Sequence, residues 1–193
     1  MVELLRGFGP EASRWAGDLV AEFGSTAAVL AAGPNALARI LGTGNPAIRH
    51  IAMVREVMLH VLREEAVKAP ILGTSEALID YLFADMAHLP AERLRVLFLN
   101  AKNRLLRDEI VSEGSVNEAP IYPREIMRRA LEVGATALIL AHNHPSGDAQ
   151  PSEGDIRVTR RVAEAARALD IRIHDHVILA RSGWSSFRAL GLI

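Results

Sequence analysis

The chain has 193 residues, which is enough for one ordinary domain and a small second one. Because 50% of the residues are hydrophobic and 23% are charged, the chain can bury packed cores, which excludes a disordered chain. It contains no cysteine, which excludes disulfides and cysteine-ligated metal sites and indicates a reducing compartment. Its 22 basic and 23 acidic residues give a formal net charge of -1, so no overall field would attract nucleic acid or an anionic membrane.

The amino-terminal segment MVELLRGFGP lacks the basic region and apolar core of a signal peptide. No apolar run approaches the ~20 residues that a transmembrane helix needs. We therefore expect a cytoplasmic protein with no membrane partner. The sequence does not indicate an oligomeric state.

Glycines divide the first part of the chain into short predicted helices, at residues 10–23, 26–32 and 34–41. A longer helix is predicted from Asn45 and Pro46, because an N-cap residue there precedes proline at the first helical position. Its apolar residues recur at helical spacing until Pro70 ends it. Residues 1–70 are therefore predicted to form a small helical domain.

Strands and helices alternate in residues 71–193, which predicts a second, α/β domain with an α-β-α layered arrangement. Residues 136–141 form a continuous apolar run, typical of a strand that is covered on both faces. A hairpin is predicted through Ser182 and Gly183. The predicted helices are 75–88, 123–133 and 152–169, and the predicted strands are 94–99, 105–111, 136–141, 171–180 and 184–187.

The segment AHNHPSGDAQPSEGD (141–155), which follows the apolar run, has the spacing of a divalent-metal site. His142 and His144 are separated by one residue, so their rings project to the same side of an extended strand, whereas Asn143 points away. Asp155, at the start of the next predicted helix, can turn a carboxylate back toward the end of the strand. Two imidazoles, one carboxylate and an open fourth position are typical of catalytic zinc sites.

Each of these residues also has a purely structural interpretation. Ser152 and Asp155 fit a capping box, with Ser152 as the N-cap and Asp155 in the first helical turn. A lone histidine is more often a surface or core residue than a ligand. The combination of His-x-His after an apolar strand with an acid at the next helix start nevertheless favours a metal site.

The pattern His-x-His-x7-Ser-x-x-Asp matches, without a gap, the JAMM signature of the JAB/MPN metalloproteases, and the segment 90–193 is similar to their bacterial RadC branch. This resemblance, which covers most of the chain, implies an MPN-type α-β-α domain with a mixed sheet at 71–193. It also implies a degenerate helix-hairpin-helix-like domain at 1–70. The implied activity is that of a zinc-dependent (Zn2+) metallopeptidase that cleaves a peptide or isopeptide bond in a peptide or protein substrate.

The resemblance also implies the roles of individual residues. His142, His144 and Asp155 would hold the metal, and Ser152 would donate a hydrogen bond to the oxyanion of the tetrahedral intermediate. The general acid/base of these enzymes is a glutamate where the first helix leads into the first strand, and Glu92 stands in that place. Glu113 is the alternative, since distance along the sequence does not separate the two.

A second His-x-His, His174-Asp175-His176, lies on a predicted strand, so its two rings are expected to share a face. No acid at a helix start follows it. A structural role, or a role in orienting a metal ligand, is therefore favoured over a second metal site.

The alternative function is that of a DNA repair or recombination accessory protein, in which the MPN domain is a non-catalytic, metal-binding scaffold. A DNA-binding hairpin presents backbone amides to phosphate between two glycines. Here Gly42-Thr43-Gly44 has a polar middle residue, and residues 1–70 carry seven Lys/Arg and seven Asp/Glu. DNA is therefore the weaker partner prediction. A zinc nucleobase deaminase, a third alternative, would need cysteine ligands.

Overall fold

The computed structural model describes residues 1–71, 75–114 and 122–193. Internal contacts divide the chain into two compact units, an amino-terminal unit, Met1–Val61, and a carboxy-terminal unit, Leu62–Ile193. Among the described residues, no helix is both long enough and apolar enough to cross a membrane.

The amino-terminal unit is built from helices around a small apolar core. The long helix starts as predicted, because the Oδ1 atom of Asn45 accepts a hydrogen bond from Ala47 N at 3.0 Å, with Pro46 at the first helical position. The core contains Leu19, Val29 and Leu37 with almost no exposed surface. The helices are α1 (Val2–Leu5), a 3-10 turn (Arg6–Phe8), α2 (Ala12–Phe23), α3 (Thr26–Ala31), α4 (Pro34–Leu41) and α5 (Pro46–Val67), of which the residues from Leu62 onward belong to the carboxy-terminal unit.

The carboxy-terminal unit contains a five-stranded mixed sheet with strand order β2-β1-β3-β4-β5. Strands β3 and β4 are parallel, and the other neighbouring pairs are antiparallel. The α/β fold class with a mixed sheet is therefore confirmed. The elements are α6 (Glu76–Met86), β1 (Glu92–Leu99), β2 (Leu105–Gly114), α7 (Pro123–Glu132), β3 (Ala137–Asn143), α8 (Glu153–Arg167), β4 (Arg172–Ala180) and β5 (Gly183–Ser186).

Alternation along the strands places two separate cores on the two faces of the sheet. Ile139 of β3 belongs to the core that includes Leu78 and Leu82 of α6. Leu138 and Leu140 belong to the core that contains residues of α7 and α8. Since successive side chains of a strand point to opposite faces, even-numbered positions of β3 face α8 and odd-numbered positions face α6.

Three strands extend beyond their predicted apolar stretches. β3 continues to Asn143, β1 begins at Glu92 and β2 continues to Gly114. Backbone hydrogen bonds between strands do not depend on side-chain polarity, so pairing continues into the polar positions. As a result, His142 and Glu92 lie on strands of the sheet.

A network of buried charges lies on the α6 side of the sheet. The Arg95 guanidinium contacts Asp85 Oδ2 at 2.9 Å and Asp108 Oδ1 at 3.2 Å, and donates to the Tyr81 hydroxyl at 2.8 Å. That hydroxyl donates to Asp108 Oδ2 at 2.7 Å. Buried charges need partners of this kind, and here one arginine serves two carboxylates.

Candidate metal centre

Strand β3 and helix α8 bring the three predicted ligands together. The Nδ1 atom of His142 lies 3.3 Å from Asp155 Oδ1, and Nε2 of His144 lies 3.2 Å from Asp155 Oδ2. One ligand atom from each of the three side chains lies within 4.8 Å of the others, so this group could hold a metal ion. Within the described ranges, no other group of three His, Asp or Glu side chains meets this spacing.

The two histidines are oriented by different means. His142 is held inside the sheet, paired with Leu94 of β1 and Ile178 of β4. His144 follows the strand, and its ring Nδ1 lies 2.8 Å from the carbonyl oxygen of Asp148. A ring that donates Nδ1–H to a carbonyl leaves Nε2 as the metal-binding nitrogen, an arrangement common among metal ligands.

Asp155 is both part of a capping box and a member of this group. Ser152 donates from its backbone N at 2.7 Å and from Oγ at 2.6 Å, in both cases to Asp155 Oδ2, and Ser152 Oγ accepts from Asp155 N at 3.1 Å. The capping-box interpretation of Ser152 and Asp155 is therefore confirmed. It does not compete with metal binding, because Oδ1 takes no part in the capping box and faces His142.

The surroundings of the Nδ1 atom of His142 show whether a cation fits this group. His142 is 7% exposed, and its Nδ1 is buried without a hydrogen-bond partner. A buried polar atom left without a partner is costly unless a ligand satisfies it. Burial lowers the pKa of His142 to about 4, so at neutral pH the ring is uncharged and has a lone pair to offer.

The pKa values of Asp155 and His144 are shifted in opposite directions. Burial alone would raise the pKa of Asp155, but the hydrogen bond with His144, the nearby His142 and the hydrogen bonds from Ser152 hold that pKa below the usual range of a carboxyl. The same contact with Asp155 raises the pKa of His144. A metal ion entering the group therefore meets an ionised carboxylate, and below the raised pKa of His144 it has to displace a proton from that ring.

The sheet places the two candidate glutamates on opposite faces. Glu92 precedes Leu94 by two residues, and Leu94 belongs to the core beneath α7 and α8, so Glu92 is on the face of His142. Its charge is among those that raise the pKa of His144. Glu113 pairs with Arg93 on the neighbouring strand and contacts its guanidinium at 2.8 Å, on the α6 side.

The second His-x-His does not place its rings together. The pairing of β3 with β4 shifts between Ile173 and Asp175, so His174 sits in a bulge. Its Nε2 lies 2.8 Å from Asn103 Oδ1, whereas His176 Nδ1 lies 2.7 Å from Thr159 Oγ1. The bulge interrupts the alternation on which the expected shared face depends, and the two rings have different hydrogen-bond partners.

His176 nevertheless borders the candidate site. Its ring stacks against that of His142, with ring centroids 5.8 Å apart, and against Phe187 on the other side at 4.6 Å. Asp175 points elsewhere and accepts hydrogen bonds from Ser186 Oγ and Arg188 N. No spacing in the sequence indicates that Thr159 would fix the His176 ring.

An α/β domain with a mixed sheet and a His-His-Asp group at the end of its central strand is what the JAB class of domains presents. Residues 72–192 match the RadC-like JAB domain, so the chain belongs to the RadC family. It is also 44% identical over 171 residues to a UPF0758 protein of Rhodobacter capsulatus. That match covers 89% of this chain and 80% of the relative.

Proposed function

We propose that this RadC-family protein is a zinc-dependent metallohydrolase of the JAMM type that cleaves a peptide or isopeptide bond. The observation that carries the proposal is the convergence of His142 Nδ1, His144 Nε2 and the Asp155 carboxylate within 4.8 Å. Two imidazoles and one carboxylate form a donor set that suits zinc and leaves a coordination position open.

Zn2+ held by these side chains would act as a Lewis acid and lower the pKa of a coordinated water to about 7. Hydrolysis also requires a group that accepts a proton from the attacking water and returns it to the leaving amine. Glu92 is suited to this role, because it is a carboxylate on the sheet face that carries His142 and acts electrostatically on His144. Glu113 is engaged with Arg93 on the other face.

Ser152 is proposed to support the reaction by hydrogen bonding. Its hydroxyl has one proton, which it donates to Asp155 Oδ2. To donate to an oxyanion, the hydroxyl would have to release Asp155, whose Oδ2 would still accept from Ser152 N. The backbone hydrogen bond allows this exchange without loss of the Asp155 position.

Metal analysis of the purified protein tests the binding part of the proposal. Wild type prepared in the presence of Zn2+ should carry about one equivalent, and His142→Ala and Asp155→Ala should each lose it. His174→Ala is the matched control, because it removes a histidine from the bulged part of β4 and should leave the metal content unchanged. Trace metal in the replete wild type would refute the site.

Hydrolysis is a separate test. Glu92→Gln should retain zinc and lose turnover of a substrate selected from a peptide library, whereas Glu113→Gln should retain both. Equal turnover by Glu92→Gln and wild type would assign the proton transfer to another group. Absence of turnover in every zinc-loaded sample would favour a non-catalytic scaffold.

The structure offers less support for DNA as a partner. Gly42 and Gly44 have φ values of +87° and +82°, a conformation that favours glycine and suits a tight hairpin. A groove of about 550 Å³ beside this hairpin includes one charged side chain, Arg49. Binding to duplex DNA that weakens steeply with salt would revive this alternative.

A further inference from the structure

Asn143, the residue between the two histidines, makes two hydrogen bonds that bracket Glu92. Its Oδ1 accepts from the backbone N of Arg93 at 2.8 Å, and its Nδ2 donates to the backbone O of Ala91 at 3.0 Å. The side chain has no exposed surface. The peptide groups on both sides of Glu92 are therefore tied to the strand that carries His142.

These bonds begin where pairing between the strands stops. The last paired residues of β1 and β3 at this end are Leu94 and His142. One position further on, the Asn143 side chain takes over from the backbone and supplies an acceptor and a donor, as the peptide unit of a neighbouring strand would. An asparagine can do this because its side-chain amide carries a hydrogen-bond acceptor and a hydrogen-bond donor on the same carbon atom.

We propose that Asn143 is a positioning residue, which fixes Glu92 relative to the metal ligands by holding Ala91 and Arg93 against the end of β3. This inference rests on the proposed function, since it assigns Asn143 a role through Glu92. Acid/base groups need to be held within a fraction of an ångström of their productive geometry. With Asn143 in place, the acid/base and both histidine ligands move as one unit.

The test uses the full chain loaded with Co2+, whose visible absorption reports ionisation at the open coordination position as the pH rises. Glu92→Gln removes a negative charge that opposes this ionisation, so its midpoint should fall by about one pH unit. Asn143→Ala should shift the midpoint in the same direction by a smaller amount. The double variant should match Glu92→Gln alone, because the two residues act through one path.

Leu97→Ala is the matched control for a general loss of stability. Leu97 is buried in β1, the strand that carries Glu92, but it faces the α6 core. This variant should therefore destabilise the fold and keep the wild-type midpoint. Should Asn143→Ala fail to fold, Asn143→Ser keeps a polar group there without bridging both backbone groups. The same shift is expected.

The outcomes separate this inference from the proposed function. A shifted Glu92→Gln midpoint with wild-type midpoints for both Asn143 variants would overturn the positioning role and leave the proposed function standing. An unshifted Glu92→Gln midpoint would overturn the role of Glu92 at the metal group, and the positioning role of Asn143 with it. No Co2+ binding by wild type would overturn the proposed function as well.

Discussion

Replacing Asp155 by asparagine should separate its two roles. The amide oxygen can still accept from Ser152 N, which donates to Oδ2 at 2.7 Å in the structure, so the capping box is largely preserved. The variant loses the favourable charge near the helix amino terminus, which is worth about 0.3–1 kcal/mol. It also loses the charged contact with His144 that helps to hold the Asp155 pKa low, so the stability of the metal-free protein should fall by about 1–2 kcal/mol.

Metal binding should respond far more strongly. The oxygen that faces His142 Nδ1 at 3.3 Å would lose its charge or be replaced by an NH2 group, which cannot coordinate a cation. Loss of a residue that merely supports a ligand typically weakens metal binding about 10–100-fold. We expect the affinity of Asp155→Asn to fall by more than this range, measured by competition with a zinc chelator.

Ser152→Ala provides the reverse case. It removes the Oγ acceptor of Asp155 N, an N-cap bond worth about 1 kcal/mol, but leaves the carboxylate in place. Urea unfolding should show this loss, while zinc affinity should fall by no more than the about 10–100-fold expected for a residue that supports a ligand. The reasoning would be refuted if Asp155→Asn bound zinc like wild type, or if Ser152→Ala lost zinc as completely as Asp155→Asn.

Two further predictions concern buried charge and pH. Arg95→Met removes the cation that Asp85 and Asp108 share, although Arg93 lies 4.0 Å from Asp85 and Arg63 lies 3.7 Å from Asp108. The free energy of unfolding measured in urea should therefore fall by about 3 kcal/mol, the lower end for a broken buried ion pair, and a loss below about 1 kcal/mol would contradict this. Zinc affinity should fall about tenfold per pH unit below the raised pKa of His144, because binding then displaces one proton. A second proton should be displaced only below about pH 4, where His142 becomes protonated, and calorimetry in two buffers of different ionisation enthalpy counts these protons.

The ligand set is local enough for the sequence to predict it. His142 and His144 share a short segment with the helix start at Asp155, and each spacing has its own geometric meaning. The start of α5 at Pro46 could be predicted for the same reason, since a cap and a proline act within one turn.

The remaining features depend on how strands pair, which sequence spacing does not reveal. Glu92 and Glu113 differ in the face they occupy, and that face is set by the pairing of β1 with its neighbours. The bulge at His174 likewise interrupts the alternation of faces along β4, and the spacing of His174 and His176 in the sequence does not indicate it. The hydrogen bonds of Asn143 join positions 50 and 52 residues apart, and no local pattern predicts them.

The register of β1 therefore links the buried charge network to the candidate site. A slip by one residue would exchange the faces of the strand, placing Arg93 where Glu92 now lies beside the histidines. The same slip would drive Arg95 toward the apolar core beneath α7 and α8 and take it away from Asp85 and Asp108. Because the second change moves a guanidinium away from its carboxylate partners and into an apolar core, the network on the α6 face opposes the slip. The charges on one face of the sheet thus help to determine which side chain the other face presents to the metal group.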